Sequence, residues 1–234
     1  MGAAGRLRKR ILLRTADLLM IENPDEMILL PGVILHVPSC REFPIEQIAR
    51  LMNEAERIVV HRFRAPVSKA LPTKDEKLRL HGIPHLIFSY GAHLALIEVD
   101  RLTGEVTVLK YLAISDCGRV INPQLVEQQM QGGIAQGLGY ALHEDFKVKE
   151  GAILTPDLLT YVIPGAPDIP DMETTMLQIP EPSAPLGMKG AGEIAMDGPL
   201  PAVGNALADA CGIRLSRSPF SAEQVLSALR RQRK

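Results

Sequence analysis

Two adjacent stretches of alternating apolar and polar residues, joined by a short glycine-containing turn, constrain the fold of this chain most strongly. Residues 92–99 and 105–114 each show the two-residue period of a strand, and residues 100–104 read DRLTG between them. The second stretch carries Val106, Val108 and Leu112 on one face. The pattern therefore predicts a β-hairpin with one apolar face.

Helical spacing of apolar residues and turn residues divide the rest of the chain into short elements. Together they predict an α+β protein of mixed helices and short β-sheets, with a boundary between residues 1–82 and 83–234. The predicted helices span 7–20, 45–55, 123–144 and 222–231, the further strands span 27–30, 33–37, 158–163 and 173–179, and a connector spans 64–84.

Charge and cysteine content exclude several classes of function. The 234 residues carry 26 Lys and Arg against 27 Asp and Glu, so charge predicts neither a nucleic-acid nor a membrane partner. Cys40, Cys117 and Cys211 lack the spacing of a disulfide framework, a zinc site or an iron–sulfur cluster, which favours a reducing, cytoplasmic location. The chain has the basic start of a signal peptide, but Arg14 and Asp17 break the apolar stretch that follows, and no apolar run approaches the roughly 18 residues of a membrane span.

The helix predicted after Asn122 contains four glycines within residues 132–139, with Gln136 among them. Each glycine costs a helix roughly 1 kcal/mol relative to alanine. Either close helix packing or a ligand beside the backbone accounts for them. The Gln136 amide could both donate and accept hydrogen bonds to such a ligand.

A loop at residues 187–193, GMKGAGE, combines glycines with a carboxylate. Backbone N–H groups freed by glycine can approach a polar or anionic ligand, and Glu193 could be held in a buried position as a base. Lys189 precedes the last glycines, which excludes a P-loop, and a proline-rich loop precedes the motif, which excludes a dinucleotide fingerprint. A ligand loop and a tight structural turn both remain open.

Two further groups have plain structural explanations. In the segment 115–119, an ion pair between Asp116 and Arg119 or a buried Cys117 accounts for the residues without a function. His81 and His85 are separated by a glycine and a proline, so they do not form a helical pair of metal ligands.

Taken together, the motifs resemble the C-terminal part of the molybdenum-binding subunit of the xanthine dehydrogenase and aldehyde oxidase family, its second molybdopterin-binding domain. The resemblance extends from residue 90 to residue 229, whereas residues 1–82 match loosely. It is carried by six ordered motifs: YGA (90–92), VDRLTGEV (99–106), DCGRVINP (116–123), QGGIAQGLG (131–139), LGMKGAGE (186–193) and NA (205–206).

The resemblance implies a molybdenum-pterin cofactor, and an oxidative hydroxylation of an aldehyde or N-heterocycle carbon with oxygen derived from water. Glu193 matches the base that accepts the proton of the water-derived hydroxyl. Matching positions beside the cofactor are Gln136, Lys189, Gly190, Ala191 and Gly192, and no side chain of this chain needs to bind the metal.

The family's subunit is much longer than this chain, which implies a catalytic half-site. Activity would then require a partner chain that carries the N-terminal part of the molybdenum subunit, with iron–sulfur clusters and FAD on further chains. The alternative is a catalytically idle fragment or assembly module of the same fold. An unrelated nucleotide-binding enzyme is a third possibility, although no phosphate-binding pattern fits it.

Overall fold

A computed structural model describes residues 2–62 and 87–232, which form two compact units. The predicted connector over residues 64–84, the predicted boundary at residue 82, and His81 and His85 lie outside the described residues. Each unit is therefore considered by itself.

The N-terminal unit is a three-stranded antiparallel sheet with helices, in the order β1-β2-β3. Its buried side chains include Ala16, Ile34 and Ile48. The predicted first helix and hairpin are confirmed, but β3 was missed and the predicted helix over 45–55 ends early, because Asn53 starts a new helix by accepting the Glu56 N–H. The elements are α1 (Gly2–Leu19), β1 (Met27–Leu30), β2 (Val33–His36), β3 (Arg41–Pro44), α2 (Ile45–Leu51) and α3 (Glu54–Arg57).

The C-terminal unit is built on the predicted hairpin, which is confirmed. A third long strand, β8, pairs in parallel with β5, so the sheet order is β4-β5-β8. The elements are β4 (Tyr90–Val99), β5 (Val106–Asp116), α4 (Pro123–Leu142), β6 (Val148–Lys149), β7 (Ala152–Ile153), β8 (Asp171–Leu177), α5 (Ile194–Asp197), α6 (Pro199–Cys211) and α7 (Ala222–Gln232).

One predicted strand, residues 158–163, is wrong. These residues form turns because the Asp157 side chain accepts the backbone N–H groups of Leu159 and Thr160, both at 3.1 Å. A carboxylate that bonds the following amides in this way favours a turn over a strand. The strand predicted over 173–179 is confirmed, shifted by two residues, as β8.

Close helix packing explains two of the four glycines of α4. A Cβ atom on Gly133 would lie 2.8 Å from the Cβ of Ala195 in α5, and one on Gly137 would lie 2.6 Å from Cγ of Pro199 in α6. Gly132, in contrast, faces open space. Packing against α5 and α6 therefore accounts for Gly133 and Gly137 but not for Gly132.

Alanine substitutions should separate these two classes of glycine. Gly137→Ala should lower the free energy of unfolding by about 1–3 kcal/mol, because the added methyl overlaps Pro199 and the backbone oxygen of Met196, 2.7 Å away. Gly132→Ala, the matched control in the same helix, should raise that free energy by about 0.5–1 kcal/mol through helix propensity. Urea unfolding of the two variants checks both signs, and equal effects would contradict the packing explanation.

Among the described residues, no helix is long and apolar enough to cross a membrane.

Candidate functional site

The loop at residues 187–193, here called the site loop, lies against the turn that follows β5. Arg119 donates its backbone N–H to the carbonyl of Gly187 at 2.8 Å, and Lys189 donates its own to the carbonyl of Cys117 at 3.0 Å. Gly118 has φ +62°, and a Cβ there would lie 2.5 Å from the Gly187 oxygen. Two motifs that the sequence presents separately are therefore one structural unit.

A buried ion pair joins the same two segments. Lys189 Nζ lies 2.5 Å from Asp116 Oδ2, and the two side chains are 7% and 3% exposed. The predicted Asp116–Arg119 pair is wrong, because the turn brings Lys189 of the site loop, and not Arg119, to the carboxylate. The other oxygen of Asp116 accepts the backbone N–H groups of Gly118 at 3.0 Å and of Ile179 at 3.3 Å.

These contacts change the pKa of Asp116. Burial acts to raise the pKa of Asp116, but the hydrogen bonds from Lys189 and from the backbone of Gly118 and Ile179 outweigh it and hold that pKa below its ordinary value. Cys117 is buried beside this carboxylate, and both its burial and the Asp116 charge raise the pKa of the thiol. Cys117 is thus the buried core cysteine that the sequence predicts.

The depressed pKa of Asp116 predicts a pH-dependent stability. The pair stabilises the fold fully above the ordinary pKa of 3.8, and this contribution disappears as the pH falls through the lower folded-state value. Asp116→Asn should therefore lower the free energy of unfolding by about 3 kcal/mol at pH 7. The difference in this free energy between the variant and the wild type should become smaller below about pH 4.

Urea titrations of both proteins across this pH range measure the difference in their free energies of unfolding. Glu173→Gln is the matched control, since it breaks the exposed pair with Lys110 and should give a small difference at every pH. A difference for Asp116→Asn that stays constant down to pH 2 would contradict the assignment.

The site loop has carbonyl groups that are tied to the protein and amide groups that are not. Ser89 Oγ donates to the carbonyl of Gly190 at 2.7 Å, and Gln129 Nε2 donates to the carbonyl of Gly192 at 3.1 Å. Within residues 2–62 and 87–232, no group accepts the backbone N–H of residues 190–193. Four consecutive backbone donors therefore have no acceptor among the described residues, and they can donate to a ligand.

A groove of about 440 Å³ adjoins the site loop. One wall comes from the loop itself, and the other comes from the segment after β5 and the first turns of α4. Its lining residues include Arg119, Ile121, Leu125, Gln129, Met188, Lys189, Ala191 and Gly192. Sequence reasoning missed Ser89 and Gln129, because their partners in the site loop are 101 and 63 residues away along the chain.

Glu193 and Gln136 are both exposed, and neither lines this groove. Glu193 directly precedes α5 and accepts the Met196 N–H through its carbonyl at 2.9 Å. The described residues do not hold Glu193 in the buried position that the sequence suggests. Gln136 lies on α4, one turn after Gly132, whose side faces open space.

The site holds polar groups suited to an organic cofactor. The part of the chain that the structure describes contains no group of three His, Cys, Asp or Glu residues able to hold a metal ion. The amides at 190–193, which have no acceptor among the described residues, and the open sides of Gly190 and Gly192 fit a polar or anionic ligand that approaches the backbone closely.

Comparisons with known proteins show which family the chain resembles. The family model described as "molybdopterin cofactor-binding domain" matches residues 1–170, including the N-terminal segment in which sequence motifs matched loosely. The chain is 36% identical over 148 residues to the "probable hypoxanthine oxidase XdhD" of Escherichia coli K12, covering 62% of this chain and 16% of that protein. It is 35% identical over 151 residues to the aldehyde oxidoreductase of Megalodesulfovibrio gigas, covering 64% and 16%.

Comparison with solved structures also finds an oxidoreductase, and this match extends over nearly the whole chain. The quinoline 2-oxidoreductase of Pseudomonas putida 86 matches with a TM-score of 0.71 and 28% identity, over 97% of this chain and 28% of that one. This chain thus spans between 16% and 28% of the length of these relatives. The family match, the fold and the sequence relatives agree, and the chain belongs to the molybdopterin cofactor-binding domain family.

Proposed function

We propose that this chain is the C-terminal part of a molybdenum hydroxylase catalytic subunit, in which the site loop holds the molybdopterin cofactor. The reaction proposed is oxidative hydroxylation of an aldehyde or N-heterocycle carbon with oxygen from water. The observation that carries the proposal is the site loop itself. Ser89 and Gln129 bond its carbonyls at Gly190 and Gly192, while the amides of residues 190–193 have no acceptor in the part of the chain that the structure describes.

The residues of the site loop fit the pterin cofactor. A Cβ atom added at Gly190 or at Gly192 would meet no other atom within 4 Å, so a ligand can reach the backbone there. Ala191 between them packs against the core and fixes the loop. When bound, the molybdenum-pterin group supplies the redox centre that takes up two electrons from the substrate. Backbone amides of residues 190–192 would donate hydrogen bonds to its polar atoms.

Glu193 is the proposed base. Its backbone is held from both sides, by the Gln129 bond to the preceding carbonyl and by the Met196 N–H on its own carbonyl. A carboxylate on a fixed backbone can accept the proton of the attacking water-derived oxygen without a large reorganisation. Gln136, with its exposed amide beside the open side of Gly132, is proposed to bond the cofactor from α4.

Exposed apolar side chains support dependence on a partner chain. One face of the β4-β5-β8 sheet presents Leu94 at 62%, Leu96 at 54% and Ile114 at 44% exposure. Several exposed apolar side chains grouped on one face of a sheet are typical of an interface. Since the chain spans at most 28% of these relatives, we propose that the missing pocket wall comes from a chain carrying the N-terminal part of the molybdenum subunit. Iron–sulfur and FAD-bearing chains are the proposed electron acceptors.

The alternative is a catalytically idle fragment or assembly module of the same fold. The exposure of Glu193 in the described chain favours it, because a base without a surrounding pocket has no defined substrate. The two proposals differ in what accompanies the chain in a cell.

Purification of the tagged chain from its native host tests the proposal. Metal analysis and mass spectrometry of the purified material should find molybdenum, a pterin, and a longer chain bearing the rest of the cofactor pocket. A metal-free chain that purifies alone would overturn the hydroxylase and leave the idle fragment.

A further inference from the structure

The buried pair Asp116–Lys189 lies directly before the free amides of the site loop. We infer that this pair is a positioning device, which fixes the site loop so that residues 190–193 retain the pterin cofactor, without touching the cofactor itself. The inference rests on the proposed function of the site loop, and it assigns Lys189 a different role from that of a cofactor ligand.

The two hydrogen-bond donor groups of Lys189, its ammonium and its backbone N–H, both have partners inside the protein. Its ammonium bonds Asp116, lies 5.8 Å from the centre of the Tyr90 ring, and belongs to a side chain that is 7% exposed. Its backbone N–H bonds the carbonyl of Cys117 at 3.0 Å. Because Asp116 balances the charge of this ammonium and the side chain is almost wholly buried, Lys189 acts through the loop that it anchors.

Asp116 holds three segments together at one point. It bonds Lys189 of the site loop, the turn at Gly118 and the residue Ile179 after β8. The pair therefore fixes the N-terminal end of the free amides, while Gln129 holds the carbonyl of Gly192 at the other end. A loop held at both ends keeps its donors in place before the ligand arrives, which favours tight binding.

A purely structural role would give a different result from a positioning role. Lys189→Met alone leaves the Asp116 charge buried without a partner and should destabilise the fold. The double variant Asp116→Asn, Lys189→Met removes both charges with little change of volume, and replacement of a whole buried pair is often neutral for stability. The double variant thus removes the contact that positions the site loop while leaving the stability of the fold nearly unchanged.

The experiment compares the wild type, Lys189→Met and the double variant, each purified in complex with its partner chains. The readouts are molybdenum and pterin per complex, the rate of pterin loss after dilution, and the melting temperature. We expect the double variant to melt close to the wild type yet to hold cofactor about tenfold more weakly, as for other residues that orient a metal site from outside it. Lys147→Met, which breaks the surface pair with Asp145, is the matched control and should change none of these readouts.

The outcomes separate this inference from the proposed function. A double variant that melts like the wild type and holds as much cofactor would overturn the positioning role while leaving the hydroxylase intact. Cofactor loss that only follows the loss of stability, in the single variant and not in the double variant, would overturn it as well. A wild-type complex with neither molybdenum nor pterin would overturn the proposed function, and the inference with it.

Discussion

Turnover of the assembled enzyme should fall by about 10²–10⁴-fold when Glu193 is replaced by glutamine. The substitution removes the proton acceptor but keeps almost the same volume and leaves the backbone of the site loop unchanged. Two hydrogen bonds hold this backbone, one from the Met196 N–H to the Glu193 carbonyl and one from Gln129 to the Gly192 carbonyl. Neither of them involves the Glu193 carboxylate. Molybdenum and pterin content should therefore equal those of the wild type, because the amides of residues 190–192 stay in place.

The matched control is Glu127→Gln, which alters an exposed carboxylate on α4 that accepts a hydrogen bond from Gln131 at 3.5 Å. This variant should retain wild-type turnover and cofactor content. Steady-state kinetics with metal analysis of the same preparations measure both quantities. Near-normal turnover of Glu193→Gln with full cofactor would remove Glu193 as the base, whereas loss of cofactor would indicate a binding role for its carboxylate.

Local patterns in the sequence predict the elements whose stability depends on neighbouring residues. The β4–β5 hairpin is one example, because its turn and its alternating apolar face lie within one stretch of chain. The helix α4 is another, since Asn122 caps it by accepting the Leu125 N–H and Pro123 begins it. Residues 158–163 have strand-like composition, but the Asp157 carboxylate bonds the next amides and selects a turn.

Contacts between distant residues could not be predicted in the same way. Asp116 and Lys189 are 73 residues apart, and the nearer Arg119 is an equally good partner by charge. Only the tertiary fold brings the site loop, and not Arg119, to the Asp116 carboxylate. The bonds from Ser89 and Gln129 to the site loop have the same origin, so the sequence identified the loop but not the residues that hold it.

Gly118→Ala should be the most disruptive single methyl added at the site. Gly118 has φ +62°, a conformation that costs alanine about 1 kcal/mol or more. A Cβ there would also lie 2.5 Å from the Gly187 oxygen and 2.8 Å from the Lys189 nitrogen, both backbone atoms that cannot rotate away. Overpacking of this kind adds about 1–3 kcal/mol, so the free energy of unfolding should fall by about 2–4 kcal/mol in total.

Gly151→Ala separates the two contributions, because Gly151 has φ +82° but nothing within 4 Å of its Cβ position. It should show only the conformational cost of about 1 kcal/mol. Urea unfolding gives both free energies, and the difference between the variants measures the contact of the site loop with the turn after β5. That contact is also the one that carries the Lys189 bond to Cys117, so Gly118→Ala should lower the cofactor content of the complex while Gly151→Ala should not. Equal stability of the two variants would show that the site loop does not press on Gly118, and would contradict the close packing on which the proposed cofactor site depends.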